Sequence, residues 1–300
     1  MPEDAPPLGS FEEATRELVA ALRSADPRVR EHALEEVPAV VDDALARELL
    51  RFARDAERGD EERGEALIAL GPALSECHDE EAADGTLESP APGTEDWWEL
   101  PLSAAGYREV QDELHRIYHD AALPKLVRRR ALEAAVRAPR DWHREAAATA
   151  WSSGDPEWRA TAVFAMGHLQ GFQDEVIEAF RGEDPALRGE AIRAAGRSAT
   201  GEVLAEDLLA LAADRTARRD HRLAAVEALG ELQPEEASHV LAELQDDPDP
   251  EIAAAAREAA EGANLWSSLE EEGFGLPDDL DLDLDLSDLD DPNGPGEDDW

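Results

Sequence analysis

Apolar residues along this chain fall at helical spacing, and the same short pattern recurs with a period near thirty residues. In each copy, an arginine is followed by apolar side chains four and seven positions later, which places them on one face of an α-helix. We call these arginine positions anchors. They are Arg30, Arg63, Arg128, Arg159, Arg188 and Arg222, and Ala253 marks a degenerate seventh copy. The apolar pairs are Leu34 and Val37, Leu67 and Leu70, Leu132 and Ala135, Val163 and Met166, Ile192 and Ala195, and Val226 and Leu229.

A second amphipathic run precedes each of these helices, as in Leu45, Leu49 and Phe52 or in Val110, Leu114 and Ile117. The anchors are 33, 65, 31, 29, 34 and 31 residues apart, and the gap of 65 corresponds to one repeat plus an insertion. A fixed period of this length indicates stacked units that cover one another's apolar faces. We therefore predict an all-α fold, an α-solenoid of about seven helical hairpins over residues 10–262.

The residue types around each anchor follow from the physical requirements of a helix start and a close helix contact. Aspartate caps a helix N-terminus, and proline at the first helical position lacks only an N–H that would be unpaired anyway. Asp26-Pro27, Asp155-Pro156 and Asp184-Pro185 are therefore predicted helix starts. Small residues three positions after the anchors let paired helices approach closely: Ala33, Ala66, Ala131, Ala162, Ala191 and Ala225. The glycines expected to end these helices are Gly71, Gly167, Gly196 and Gly230.

These copies resemble HEAT repeats, in the short form found in phycobilisome lyase-like proteins. Residues 26–37, 155–169, 184–196 and 218–232 best match the pattern Asp-Pro-x-Val-Arg-x-x-Ala-x-x-Ala-Leu-Gly. The resemblance implies a scaffold with a long concave face, lined by the second helix of each pair. It also implies that the aspartate and arginine of the turn bond between neighbouring repeats, so that the anchors are structural.

The charge balance is extreme, with 72 acidic against 28 basic residues and a net charge of −44. Lys125 is the only lysine. This composition is similar to that of proteins from extreme halophiles, of haloarchaeal type, which keep molar KCl in the cytoplasm. Repulsion among so many carboxylates destabilises a compact chain when screening is weak. We therefore predict that folding depends on salt.

Cysteine usage and hydropathy exclude several classes of protein. Cys77 is the only cysteine, so neither an intrachain disulfide nor a four-cysteine zinc site is available. The first residues lack a basic and apolar leader, and no run of about eighteen apolar residues occurs. We expect a soluble, cytoplasmic protein.

Three segments fall outside the repeat. Residues 1–9 are predicted to be a disordered N-terminus. Residues 77–103 contain several glycines and prolines together with Trp97-Trp98, and they are predicted to form a long loop insertion. The two tryptophans either pack back on the solenoid or form a lid that binds a partner.

The third segment, residues 263–300, is an acidic tail with fourteen carboxylates and no basic residue. Its alternating aspartates and leucines predict a segment that is disordered until it binds. Asp281, Asp283 and Asp285 match the first ligand positions of an EF-hand loop, but Leu286 replaces the required glycine and Pro292 the required glutamate. A calcium site is therefore excluded.

A basic island interrupts the acidic chain and is followed by tryptophans. Its members are Lys125, Arg128, Arg129, Arg130, Arg137, Arg140 and Arg144, and the tryptophans are Trp142, Trp151 and Trp158. Arginine forks and aromatic faces suit recognition of carboxylates, phosphates or bases; alternatively, the arginines neutralise acidic neighbours and the tryptophans fill the core. The predicted partner-binding residues are Arg128, Arg129, Arg130, Arg137, Arg140, Trp142, Trp158, Trp97 and Trp98. The ligand would be an acidic peptide, including this chain's own tail, because the overall charge disfavours nucleic acid.

The sequence offers little for catalysis. His115 and His119 stand four apart on a predicted helix, a metal-binding spacing, but no third ligand accompanies them. A HEAT-like enzyme resembling deoxyhypusine hydroxylase would need His-Glu dyads in several second helices, and the matching triplets here contain none. No phosphate-binding glycine loop and no nucleophile motif occurs. We expect no catalytic residue, no metal and no cofactor.

Our leading hypothesis is a non-catalytic scaffold that binds a partner protein on the concave face of the solenoid. The alternative is a degenerate HEAT-fold enzyme or nucleic-acid-binding protein, a relative of lyases or DNA glycosylases, that uses the arginine and tryptophan residues at 125–158.

Overall fold

The computed structural model describes residues 8–37, 41–84, 102–233 and 237–271, and every regular element in these ranges is helical. The helices are α1 (Leu8–Leu22), α2 (Pro27–Glu35), α3 (Asp43–Arg54), α4 (Asp60–Ile68), α5 (Gly71–Asp84), α6 (Ala104–His119), α7 (Lys125–Ala135), α8 (Asp141–Ser152), α9 (Pro156–Met166), α10 (Gln173–Arg181), α11 (Pro185–Gly196), α12 (Thr200–Ala213), α13 (Arg219–Leu232), α14 (Ala237–Leu244) and α15 (Pro250–Glu271). None of these described helices is both long enough and apolar enough to cross a membrane.

The helices pair into hairpins in chain order. The pairs are α1 with α2, α3 with α4, α6 with α7, α8 with α9, α10 with α11, α12 with α13, and α14 with α15. The second helices also pack on one another in sequence, from α2 through α4, α7, α9, α11 and α13 to α15. The predicted α-solenoid of about seven hairpins is therefore confirmed, and each hairpin buries its apolar face against its neighbours.

The core is distributed along this stack. One apolar cluster joins the hairpins from α1 to α7, and a second joins those from α8 to α15. Trp158 is partly buried and packs against both clusters. The small residues expected three positions after the anchors are all buried, which allows the close helix approach that the sequence predicts.

The second helices begin as predicted. The carboxylate of Asp26 accepts a hydrogen bond from the backbone N–H two positions later at 3.0 Å, and the same bond measures 3.0 Å for Asp155 and 2.9 Å for Asp184. Asp249 makes the equivalent bond before α15, also at 3.0 Å. Each of these aspartates satisfies an N–H that has no partner within the helix.

The anchor arginines hold each hairpin closed. In three copies, the guanidinium Nε donates to a carbonyl oxygen ten residues earlier, in the last turn of the preceding helix. These bonds join Arg63 to Ala53 (2.8 Å), Arg128 to Tyr118 (2.9 Å) and Arg222 to Ala212 (3.1 Å). Arg159 and Arg188 lie over aromatic rings of the preceding helix, 4.1 Å from the centroid of Trp151 and 5.4 Å from that of Phe180. The last carbonyl oxygens of a helix accept no hydrogen bond within that helix. The arginine side chains donate to them, and these bonds fix the angle between the two helices of the hairpin.

Acid–base pairs join consecutive hairpins, but two of the three use a basic residue other than the anchor arginine that the resemblance implies. They are Arg30 with Glu62 (2.8 Å), Lys125 with Asp155 (3.1 Å) and Arg219 with Asp249 (3.1 Å). The second and third pairs follow one rule, because each basic residue lies three positions before an anchor and binds the helix-capping aspartate of the next repeat. Their sequence separation is 30 residues, one repeat, in both cases.

The glycines expected to end the second helices have a further role. Gly167 and Gly196 do mark the ends of α9 and α11. For Gly230 the prediction is wrong, because α13 continues through it to Leu232. A Cβ atom at Gly230 would lie 2.8 Å from the Cβ atom of Ala259 in α15. Glycine at this position therefore allows α15, the second helix of the next hairpin, to pack closely against α13.

Helix α5 corrects the predicted boundary of the insertion. Residues 77–84 of the predicted loop are helical, and Gly71 begins a helix where it was expected to end one. The run from 75 to 84 is rich in alanine and glutamate, which favour helix, and its buried Cys77 anchors it to the core. The part of the insertion that carries Trp97 and Trp98 lies outside the described residues, so the lid and packing interpretations both stay predictions.

The helical region also exceeds both predicted outer boundaries. Helix α1 begins at Leu8, inside the predicted N-terminal segment 1–9, and α15 continues nine residues beyond 262 to Glu271. The alanine-rich sequence of α15 contains no proline after Pro250 and no glycine except Gly262, so nothing local stops the helix there. Residues 1–7 and 272–300, with most of the acidic tail, lie outside the described residues.

Candidate interaction surface and basic pocket

The basic island does not form one patch. Lys125 belongs to the inter-repeat pair with Asp155 described above. Arg129 donates from Nε to the hydroxyl oxygen of Thr161 at 2.9 Å, and Arg130 donates to the Glu133 carboxylate at 2.7 Å. The Thr161 hydroxyl also donates to Glu133, which is buried. Arg129 and Arg130 therefore surround a buried carboxylate between α7 and α9.

Arg128 lies instead beside an aromatic groove. Its guanidinium is 5.6 Å from the centroid of Trp158, and the ring of Tyr118 is 6.0 Å from that tryptophan. Burial raises the pKa of Tyr118, so its hydroxyl stays neutral and can donate a hydrogen bond. The groove has a volume of about 160 Å³ and is lined by Tyr118, Arg128, Thr149, Ala150, Ser153 and Trp158. We call it the aromatic groove.

Trp142 packs against Tyr118, which lines this groove, and against two histidines. Its ring centroid lies 5.3 Å from Tyr118, 4.7 Å from His115 and 3.9 Å from His143. His143 is buried, and its Nδ1 accepts a hydrogen bond from the backbone N–H of Arg140 at 2.8 Å. Burial, reinforced by the charges of His115 and Arg140, lowers the pKa of His143 to about 3.

The paired histidines stay close to each other without a metal-type ligand set. The rings of His115 and His119 are 4.6 Å apart and edge-on. Burial lowers the pKa of His115, with a further contribution from His119. Within the described ranges, no group of three histidine, cysteine, aspartate or glutamate side chains could hold a metal ion.

Arg137 lies at the far end of α7 from Arg128, in a second cavity. The two residues are nine positions apart, which corresponds to about 14 Å of helix. This cavity has a volume of about 630 Å³ and opens beside the C-terminal ends of α7, α9 and α11. Its lining includes Arg137, His168, Phe172, Arg197 and Thr200. We call it the basic pocket.

Two arginines flank one aromatic ring at this pocket. The guanidinium of Arg137 is 5.8 Å from the centroid of Phe164, and that of Arg197 is 5.2 Å from it. His168 lies 5.2 Å from the same ring. Among the described residues, no hydrogen-bond partner reaches Nε of Arg137, Nε and Nη2 of Arg197, or Nε2 of His168, and all four atoms are buried. A buried donor without a partner is costly.

Burial perturbs all three basic groups of the pocket. It lowers the pKa of Arg137 and of Arg197, although Glu231 and Glu190 act in the opposite direction on Arg197. It also lowers the pKa of His168 to about 4, with further contributions from the charges of Arg197 and Arg137. His168 is therefore neutral near pH 7, whereas both guanidinium groups keep their charge.

His168 and Arg197 were not predicted as site residues, although their positions in the repeat could have identified them. Arg137, His168 and Arg197 each stand nine positions after an anchor, in three consecutive repeats. The next copy places Glu231 at that position. Aligning the repeats by their anchors would have collected the three basic residues in one row, whereas proximity in sequence grouped Arg137 with Arg128. Of the other predicted site residues, Arg140 lies over the ring of Tyr107 at 5.3 Å.

One segment of the chain matches a known family. Residues 173–261 match a family model described as HEAT repeats. A comparison with curated proteins gives no match. The fold is similar to that of human deoxyhypusine hydroxylase in complex with glycerol, with a TM-score of 0.37 and 17% identity over 87% of this chain and 100% of that one. It is also similar to the YibA protein of Escherichia coli, with a TM-score of 0.36 and 16% identity over 87% of this chain and 99% of that one. Residues 173–261 thus match HEAT repeats, and the described part of the chain is an α-solenoid of stacked helical hairpins.

Proposed function

We propose that this protein is a non-catalytic scaffold that binds an acidic segment of a partner protein at the aromatic groove. The observation that carries the proposal is the position of Arg128 beside Trp158, at the mouth of a groove that Tyr118 also lines. Arginine, tryptophan and tyrosine dominate the binding energy of protein interfaces. A groove between two consecutive hairpins is also a position that a repeat scaffold offers without any special loop.

The charge around the groove favours an acidic occupant. Arg128 uses Nε to hold the carbonyl of Tyr118, and no carboxylate of the described residues lies within ion-pair distance of its guanidinium. Arg159 lies nearby over Trp151 and is about one-third exposed, with Glu178 at 3.6 Å. In a chain with a net charge of −44, this is a local positive site next to apolar surface. A partner segment with a carboxylate beside an apolar side chain matches that combination.

The composition and the resemblance support a location and a type of host for this protein. The excess of 72 acidic over 28 basic residues supports a cytoplasmic protein of haloarchaeal type, in which the carboxylates keep the surface hydrated at high salt. The short repeats support a relationship with phycobilisome lyase-like HEAT proteins. Both statements are part of the proposal.

A groove-blocking substitution tests the proposal. Thr149 is exposed and lines the groove, so Thr149→Arg adds bulk and charge there without disturbing the core. The neighbouring Ala148 is also exposed but does not line the groove, and Ala148→Arg in α8 is the matched control. The full chain and both variants are used to capture partners in molar KCl from the native host. The captured protein is then purified and its affinity for each form is measured.

We expect Thr149→Arg to weaken the affinity at least about tenfold, which corresponds to about 1.4 kcal/mol, and Ala148→Arg to leave it unchanged. Equal affinity for all three forms would contradict binding at the groove. Removal of residues 278–300 distinguishes an external partner from this chain's own acidic tail. If the tail competes for the groove, its removal should raise the affinity for the partner. Recovery of nucleic acid in place of protein would support the alternative function at residues 125–158.

A further inference from the structure

The basic pocket is independent of the aromatic groove, and it holds two half-buried arginines that form no ion pair with the described residues. Its basic residues come from three consecutive hairpins and lie at the C-terminal ends of α7, α9 and α11. The groove lies at the N-terminal ends of α7 and α9. The two cavities are therefore separated by the length of a second helix, and the inference below does not depend on partner binding at the groove.

The pocket arginines lack the counterions that the chain's most buried arginines have. Arg30 has Glu62 at 2.8 Å, and Arg222 has Asp247 at 2.7 Å. No carboxylate of the described residues forms an ion pair with Arg137 or Arg197, although the sequence contains 72 acidic residues. A buried cation without a counterion is strongly unfavourable. An external anion would remove that cost.

Two helix N-termini also line the pocket, and their first turns carry Asp174, Glu175 and Glu202. Phe172 and Gln173 at the start of α10 line the pocket, and so do Ala199 and Thr200 at the start of α12. Neither helix has a side chain that caps its N-terminus. The first backbone N–H groups of a helix lack partners within the helix, and they favour anions that approach them.

We propose that the basic pocket binds a small organic ligand through an oxyanion, either a carboxylate or a phosphate. Arg137 and Arg197 donate to this oxyanion, and the ring of Phe172, which lines the pocket, contacts the apolar part of the ligand. Guanidinium forks match the geometry of both oxyanions. The volume of about 630 Å³ fits a small organic molecule, since ligand pockets commonly measure about 300–1,000 Å³.

His168 adds a neutral group to the charged pair. Its ring contacts Phe164, and its buried Nε2 has no partner among the described residues. A neutral imidazole nitrogen can donate to an oxyanion or accept from a ligand hydroxyl, depending on the tautomer. Glu231, the residue at the equivalent position in the next repeat, raises the pKa of Arg197 through its charge and keeps that side of the pocket less positive.

Calorimetric titration of the full chain tests the proposal. Inorganic phosphate and citrate serve as the two probes, each at constant ionic strength in a KCl concentration at which the chain is folded. The test variants are Arg137→Gln, Arg197→Gln and their combination. The control is Arg181→Gln in α10, which removes an exposed arginine that does not line the pocket.

We expect saturable binding of at least one probe, about tenfold weaker in each single variant, undetectable in the double variant and unchanged in the control. Binding of phosphate alone assigns the pocket to a phosphate group, and binding of citrate alone assigns it to a carboxylate. Binding of neither probe overturns the proposal. Equal affinity in the wild type and the double variant also overturns it, because the probe would then act elsewhere on the surface.

Thermal unfolding without added anion separates binding from a structural role. If the arginines serve as ligand donors, the double variant should unfold at the same or a higher temperature, since two unpaired buried charges are removed. A lower unfolding temperature together with unchanged anion binding would assign the arginines to the fold alone and contradict the proposal.

Discussion

Arg222 and Asp247 form a buried ion pair between the sixth and seventh hairpins, with 2.7 Å between Nη2 and Oδ2. The side chain of Arg222 is 7% exposed and that of Asp247 is fully buried. Arg222 also donates from Nε to the carbonyl oxygen of Ala212 at 3.1 Å. A single guanidinium thus connects both helices of the sixth hairpin to the turn between the two helices of the seventh.

Breaking this pair should be far more costly than breaking an exposed one. Asp247→Ala leaves Arg222 charged and buried, so we expect a loss of about 3–5 kcal/mol in the free energy of unfolding, measured by urea denaturation. The matched control is Asp220→Ala, which breaks the pair of Asp220 with Arg218 at 2.9 Å, where both side chains are about 60% exposed. That loss should stay below about 1 kcal/mol. Similar losses for both substitutions would contradict a buried, hairpin-linking role.

Two glycines of α11 should respond oppositely to the same substitution. At Gly196, a Cβ atom would lie 2.8 Å from the Cα atom of Ala228 in α13, so Gly196→Ala must push the two second helices apart. At Gly189, the nearest atom to a new Cβ would be 3.7 Å away, in the side chain of His221. We expect Gly196→Ala to destabilise the protein by about 1–3 kcal/mol and Gly189→Ala to stabilise it by about 0.5–1 kcal/mol. Thermal unfolding of the two variants measures this contrast, and destabilisation by both would contradict it.

The fold could be predicted because its signals are local and repeated. The Asp-Pro steps at Asp26, Asp155 and Asp184 each start a helix, and apolar residues at helical spacing select the buried face. Each hairpin contacts mainly its neighbours, so no long-range pairing had to be inferred. The predicted boundaries at 77 and 262 were wrong. The glycines and prolines that mark the insertion and the tail begin only after the last residues of α5 and α15.

The candidate sites were harder to predict because they depend on the register between repeats. Arg137 and His168 are 31 residues apart, and His168 and Arg197 are 29 apart, so nothing in their local sequence connects them. Conversely, Arg128 and Arg137 are close in sequence, but α7 separates them. The sequence shows which side chains are basic or aromatic. Which of them lie together in one site follows only from the way the hairpins stack.

Stability should fall in mildly acidic solution through His168. Its pKa is about 4 in the folded chain and 6.5 as the ordinary value, because burial disfavours the charged ring. Unfolding therefore takes up a proton between these pH values, so the contribution of His168 is complete above pH 6.5 and is lost as the pH falls to about 4. This difference amounts to about 3 kcal/mol.

Denaturation of the wild type and of His168→Gln across that pH range measures the effect. We expect the variant to lose less stability on acidification, so that the difference between the two proteins shrinks by about 3 kcal/mol from neutral pH to about pH 4. His239→Gln replaces an exposed histidine, 81% exposed, and is the control. Parallel pH profiles for the wild type and His168→Gln would contradict the buried, neutral state of this ring.

The net charge of −44 should make folding depend on salt. Repulsion among carboxylates acts over a Debye length of about 10 Å at 0.1 M salt and only about 3 Å at 1 M. The unfolding temperature should therefore rise between about 0.1 M and 2 M KCl, by about 2–4 °C for each kcal/mol of relieved repulsion in a chain of this size. Circular dichroism melts measure the shift, and sucrose is the control because it strengthens burial without screening charge. A melt unchanged between the two KCl concentrations would contradict the prediction, and an equal rise in sucrose would assign the effect to solvent exclusion in place of charge.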